Sequence, residues 1–153
     1  MIEPCFLCQR IADIKAGTNP YFVMELETAY VVLGDFQCWR GYTLLLSKYC
    51  KEELHELDPA TRSKFLVEMA MVAEAVCNVF KPAKLNYEML GNLVRHMHWH
   101  LIPRQADEPD RLSPVWTRYA TAKDDPKFQL SKQEMDSMKS QLRAEIERLK
   151  ARA

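Results

Sequence analysis

The sequence predicts an α+β domain: a largely antiparallel sheet of about five strands, one long amphipathic helix and a C-terminal helix. Three observations predict it. Short β-rich runs recur at 21–35, 41–47, 85–90 and 96–102, each bounded by turn-forming residues. One uninterrupted helical pattern lies between them at 58–80, and a second helical pattern closes the chain. At 153 residues the chain is long enough to bury a single core.

In order, "YFVMELETAYVVLGD" (21–35) holds two β-rich runs that part near Glu27–Thr28 and reads as a hairpin. "GYTLLLS" (41–47) is a third strand, opened by a glycine. In the long helix Asp58 is a cap, Pro59 suits the first turn, and Phe65, Met69, Val72, Val76 and Val79 form one apolar stripe that Pro82 ends. "LNYEML" (85–90) and "HMHWHLI" (96–102) read as two further strands joined across Gly91–Asn92. "RQADEPDRLSPVW" is a polar, proline-marked connection. The last helix starts at a capping box, Ser131 with Glu134, and carries the stripe Met135, Met138, Leu142, Ile146 and Leu149. That stripe fits its own domain or a second subunit, and the own domain is the simpler expectation.

Lysine plus arginine balances aspartate plus glutamate at 21 each, so there is no global pull towards a nucleic-acid polymer or an anionic membrane. No apolar run reaches membrane-spanning length, and the opening "MIEPCFLCQR" lacks the apolar core of a signal peptide. The five cysteines then read as thiols or metal ligands, and the implied compartment is the cytoplasm.

Three of the four histidines alternate within "RHMHWHLIPR". On a strand His96, His98 and His100 point one way and Met97, Trp99 and Leu101 the other, with successive histidines roughly 6.5–7 Å apart. Three readings compete: a polar strand edge, a metal site, and nucleophilic catalysis on phosphorus. The metal reading lacks a nearby carboxylate to complete a catalytic set. The third is preferred, because a neutral imidazole attacks phosphorus through nitrogen while its neighbours donate to phosphoryl oxygens. His55, in "KEELHEL", reads as a solvent-facing helix residue.

"HMHWHLI" resembles the motif of the histidine triad family of nucleotide hydrolases and transferases, and "HLIPR" continues as in its dinucleoside polyphosphate-cleaving branch. "CFLC", "GYTLLLSKYC" and "LNYEMLGN" fall where that family has recognisable segments, so the likeness runs from about residue 5 to 105. It implies a histidine triad domain over 1–105 and a C-terminal extension over 106–153 packed on the same domain or dimer.

The resemblance implies that His98 takes up the nucleotidyl group, that His100 contacts the phosphate or leaving oxygen, and that His96 completes the triad. Asn92 stands where a phosphate-binding glutamine is usual. Asn86 and Asp35 lie one residue from a family amide and from the residue that holds the ribose hydroxyls. Tyr42 departs from the histidine common after the third strand's glycine, and Asn92 is one methylene short.

Cys5 and Cys8 form a C-x-x-C pair able to grip a metal from a tight turn. The resemblance adds Cys50 and His96, giving a closed, structural zinc site; Cys38 and Cys77 read as bystanders. It implies a homodimer and hydrolysis at the α-phosphate of dinucleoside polyphosphates or nucleoside phosphoramidates through a nucleotidyl-histidine, with any Mg²⁺ carried by the substrate. The alternatives are nucleotidyl transfer to a phosphate acceptor, a zinc-stabilised nucleotide-binding module with little turnover, and a metal-dependent hydrolase.

Overall fold

A computed structural model describes residues 5–152. Along them run α1 (Phe6–Lys15), β1 (Phe22–Glu25), β2 (Ala29–Leu33), β3 (Thr43–Ser47), α2 (Pro59–Phe80), β4 (Lys84–Glu88), β5 (His98–Arg104), α3 (Trp116–Ala122) and α4 (Lys132–Lys150). The strands form one open sheet in the order β1-β2-β3-β5-β4, and every neighbouring pair is antiparallel. The α+β class expected from the sequence is the class observed.

Both faces of the sheet are covered, which explains why β2 (AYVVL) and most of β3 (TLLLS) are continuous apolar runs without alternation. On one face Val31, Leu45 and Leu101 pack with Phe65, Val72 and Val76 of α2 and with Met138, Leu142 and Ile146 of α4. On the other, Val32, Leu44, Leu46 and Ile102 pack with Leu7, Ile11 and Ile14 of α1 and with Val115 and Ala122 at the two ends of α3. The stripe of α4 is therefore spent on its own domain.

The helix ends are built as the sequence indicates. The Asp58 carboxylate accepts from the backbone N–H groups of Ala60 and Thr61 at 3.1 and 3.0 Å, and Lys81 ends α2 in the left-handed region at φ 50°. Ser131 and Glu134 cap each other reciprocally at the start of α4.

Three features differ from expectation. Helices α1 and α3 were not foreseen. In α1 the stripe Leu7, Ile11, Ile14 is short, and the C-x-x-C pair reads first as a metal-binding turn. In α3 the run WTRYATA is rich in weak helix formers and has no side-chain cap. Second, β4 and β5 are joined by residues 89–97 rather than across a tight Gly91–Asn92 turn, although Gly91 does adopt φ 74°. Third, β5 begins at His98, so His96 lies in that connection and not on the strand.

Arg104, at the end of β5, is buried. It donates to both oxygens of Glu108 at 3.0 and 2.9 Å, to Asn86 Oδ1 at 3.1 Å, and to the carbonyls of Ser113 and Asp110 at 3.0 Å each. Trp39 Nε1 adds a 2.8 Å bond to Glu108. One guanidinium thus satisfies a buried carboxylate and two loop carbonyls, folding the 105–115 connection back so that α3 lies against the sheet.

Candidate active site and metal centre

His98 and His100 project from β5 onto the face covered by α1 and α3, paired across the ladder with Leu46 and Leu44. Their rings are 4.7 Å apart at 65°. They line a cleft of about 580 Å³. Leu44 and Leu46 line it from the sheet; Phe6, Phe36, Trp116 and Tyr119 supply aromatic surface from α1, α3 and the loop after β2. A second hollow of about 710 Å³ adjoins it, sharing Leu90, Gly91, Asn92 and His98; its charged lining is mixed, Arg62 and Arg95 with Glu52 and Glu53, and Arg95 is ion-paired with Glu52 at 3.0 Å.

His98 Nδ1 lies 2.8 Å from the carbonyl oxygen of His96. A carbonyl only accepts, so Nδ1 carries the proton and Nε2 keeps its lone pair. Burial lowers the His98 pKa below the usual imidazole value, so the ring is neutral at pH 7. His100 is lowered further, to about 3, by burial and then by the neighbouring His98 charge. Its Nδ1 lies 2.6 Å from the Tyr42 hydroxyl, and Trp116 stands edge-on to its ring at 5.1 Å. The Trp116 indole N–H bonds in turn to the Glu88 carboxylate.

Of the polar residues singled out in the sequence, Asp35 and Asn92 line the cleft with the two histidines. Asp35 is half-exposed and ion-paired with Arg10, whose guanidinium lies 5.3 Å over the Phe6 ring. Asn92 is exposed on the 89–97 connection. Asn86 is not among the cleft residues; its amide oxygen is held by Arg104. His55 is exposed in a short 3-10 turn, Leu54–Glu56. Sequence reasoning missed Arg10, Trp116 and Tyr119; the one available signal was the aromatic pair three apart in "WTRYATA".

His96 is turned towards the cysteines at the start of α1. Its Nε2–H donates to the Ser47 carbonyl at 2.8 Å, leaving the Nδ1 lone pair free. Nδ1 lies 3.4 Å from Cys5 Sγ and 3.6 Å from Cys8 Sγ. The ligand atoms of Cys5, Cys8, Cys50 and His96 are all within 4.8 Å of one another. A tetrahedral zinc with bonds near 2.0–2.3 Å places neighbouring donors about 3.5–3.8 Å apart, so the set fits zinc in number, chemistry and spacing. The Ser47 bond is the outer contact that orients a ligating imidazole. Local backbone bonds assemble the cluster: Met97 N–H donates to the Lys51 carbonyl at 2.9 Å and Ser47 N–H to the Met97 carbonyl at 3.1 Å, bringing Cys50 beside His96. The cysteine pair comes from the start of α1, with Cys5 as its cap residue, and not from an isolated tight turn.

No helix among the described residues is long and apolar enough to cross a membrane. Comparison with known proteins accords with this architecture. Protein hit of Bacillus subtilis (strain 168) is 30% identical over 124 residues, spanning 77% of this chain and 82% of that protein. A Zn-bound histidine triad family protein from Mycobacterium smegmatis, 20% identical, shares the fold with a TM-score of 0.65 over 94% of this chain and 96% of that one. The diadenosine triphosphate hydrolase of Plasmodium falciparum, 15% identical, shares it with a TM-score of 0.61 over 84% and 78% of the two chains. The family model for the HIT domain matches residues 18–107, more than half of the chain and all of the sheet. On that match and the Bacillus relative together, the chain belongs to the HIT family.

Proposed function

We propose that the protein hydrolyses a nucleotide substrate at its α-phosphate through a nucleotidyl-histidine on His98, with dinucleoside polyphosphates as the first substrate class. One observation carries the reading: the His98 Nδ1–H bond to the His96 carbonyl at 2.8 Å, which leaves Nε2 as a neutral, oriented nucleophile in an aromatic cleft.

The aromatic walls suit a nucleobase, and the Asp35 carboxylate suits ribose hydroxyls. Nε2 of His98 forms a bond to the α-phosphorus as the P–O bond to the leaving phosphate breaks. His100 and Asn92 donate to the oxygens on which charge grows. The leaving phosphate is a stable anion near neutral pH, so hydrogen bonding suffices and no imidazolium acid is needed. Water then breaks the P–N bond and frees the nucleotide. The adjoining hollow offers room for the second half of a dinucleoside polyphosphate, with Arg62 on its wall as a phosphate partner. Any Mg²⁺ arrives with the substrate.

Cys5, Cys8, Cys50 and His96 would hold one structural zinc, closed to water because all four positions are filled. Its part in the reaction is indirect: the His96 ring is anchored to the cluster and the His96 carbonyl holds His98. The Plasmodium fold relative, by its name a hydrolase of diadenosine triphosphate, and the zinc in the Mycobacterium relative agree with both assignments.

Native mass spectrometry tests this on the full chain with diadenosine tetraphosphate. A nucleotidyl adduct in wild type, its absence in His98→Ala, and one zinc per chain are the expected results. Product released at an unchanged rate by His98→Ala, or turnover with no adduct at any time after quenching, would replace the covalent route with direct attack by water.

A further inference from the structure

We infer that Tyr42 is a positioning residue for this reaction: its hydroxyl holds the His100 ring so that the Nε2–H bond, and not a lone pair, faces the phosphate. The inference rests on the hydrolase reading above. It assigns a task to the one side chain that departs from the histidine expected at this place.

The geometry is direct. Tyr42 Oη and His100 Nδ1 are 2.6 Å apart, both residues are buried, and the two rings lie nearly parallel at 14°. A neutral imidazole has one donor nitrogen and one acceptor nitrogen, so whichever nitrogen accepts fixes the proton on the other. A phenol donates readily, and burial raises the Tyr42 pKa well above its ordinary value, keeping the proton on oxygen. Burial likewise keeps His100 neutral. A phenol O–H is a stronger donor than a neutral imidazole N–H, and an imidazole nitrogen a stronger acceptor than a phenol oxygen, so Nδ1 accepts and Nε2 carries the hydrogen on the far side of the ring.

The surrounding chain is shaped to keep the phenol there. A Cβ on Gly34 would meet Tyr42 Cδ1 at 2.3 Å, so the ring lies in space that only glycine leaves open. Tyr42 N–H donates to the Trp39 carbonyl, and its carbonyl accepts from Gly34 N–H, both at 2.8 Å. The Gln37 amide donates to the same carbonyl at 3.1 Å and accepts from Gly41 N–H at 2.8 Å, tying the 34–42 loop together. Phe36 and Trp39 pack edge-to-face on the Tyr42 ring at 6.0 and 6.4 Å. The phenol cannot swing away from His100 without disturbing this loop.

The consequence is a division of roles between two adjacent neutral imidazoles. The His96 carbonyl accepts from His98 and makes it a nucleophile. The Tyr42 hydroxyl donates to His100 and makes it a hydrogen-bond donor. The same ring type is set to opposite tautomers at the reacting nitrogen by one acceptor and one donor.

Long-range ¹H–¹⁵N correlation spectra of ¹⁵N-histidine-labelled wild type and Tyr42→Phe, together with steady-state kinetics on diadenosine tetraphosphate, form the test. Wild-type His100 should show protonated Nε2 and bare Nδ1. Tyr42→Phe should lose that single tautomer and lose at least tenfold in kcat with KM little changed, as expected when a transition-state donor is no longer oriented. Tyr42→His should restore part of kcat if its ring N–H reaches Nδ1. A wild-type His100 protonated on Nδ1 overturns the inference, as does an unchanged tautomer or kcat in Tyr42→Phe. The wild-type spectrum decides the matter even if the variant does not fold. If the wild type has no turnover the hydrolase reading fails, while the spectra still report the Tyr42–His100 bond separately.

Discussion

His100 is held neutral among Tyr42, His98 and Trp116, and that neutrality ties its chemistry to stability. Its pKa falls from 6.5 to about 3 in the folded chain. Between those values the unfolded state binds the proton that the folded state refuses, so the contribution is constant above about pH 6.5 and is lost as pH falls towards 3. Linkage gives a loss of about 2 kcal/mol between pH 7 and pH 5 from this group. Urea unfolding at the two pH values should therefore show wild type losing about 2 kcal/mol more than His100→Gln, which still offers Tyr42 an acceptor. Equal losses would mean that His100 is protonated in the folded protein. The alternation that made His98 and His100 legible in sequence follows from the period of a strand. The strand itself was begun two residues early, at His96, because nothing in "RHMHWH" marks where it starts. The start is set by long-range bonds from residue 97 to residues 47 and 51.

Between elements, the most consequential side chain is Glu68. It is buried on α2, and its carboxylate accepts from the backbone N–H groups of Glu27 at 2.9 Å and Thr28 at 3.0 Å and from the Thr28 hydroxyl. The β1–β2 turn is thus fastened to the middle of the long helix, which fixes the sheet against α2. Glu68→Ala would leave three donors without a partner, two of them on backbone. The expected cost is about 2–4 kcal/mol, measured by urea denaturation, with Glu68→Gln intermediate because its one oxygen still accepts. A loss under about 0.5 kcal/mol would show that water replaces the carboxylate. The capped helices and the apolar central strands were legible because their signals are local: Asp58 before Pro59, Ser131 before Glu134, uninterrupted apolar runs. Glu68 was not, since one acid beside the stripe Phe65, Met69, Val72 looks like any solvated helix residue. Nor was the Arg104–Glu108 pair, whose burial depends on the fold of an otherwise polar loop. The site followed the same division. The histidines and the cysteine set were legible from spacing and resemblance, whereas Trp116, Tyr119 and Arg10 reach the cleft only through helices whose local signals were weak.

At the scale of the whole molecule, β4 is an edge strand with β5 on one side and no strand on the other among the described residues. An unpaired edge invites another chain unless something blunts it. Tyr87 on that edge is 47% exposed, and Leu66 on α2 is 37% exposed. We propose that a second copy of the chain covers this edge about a two-fold axis, running the sheet on from β4 to β4. Neither residue lines the histidine cleft, so association and chemistry can be separated. Sedimentation at micromolar concentration should give twice the 17.9 kDa chain mass, and Leu66→Glu with Tyr87→Glu should return the protein to monomer with a folded, zinc-bearing site. Hydrogen exchange supplies the matching local measurement: the outward amides of β4 should be protected in wild type and exchange freely in the double variant. A wild-type monomer, or a dimer indifferent to both charges, would place the contact elsewhere and leave β4 as a bare edge, protected from aggregation by its shortness and by Lys84 and Glu88 at its ends.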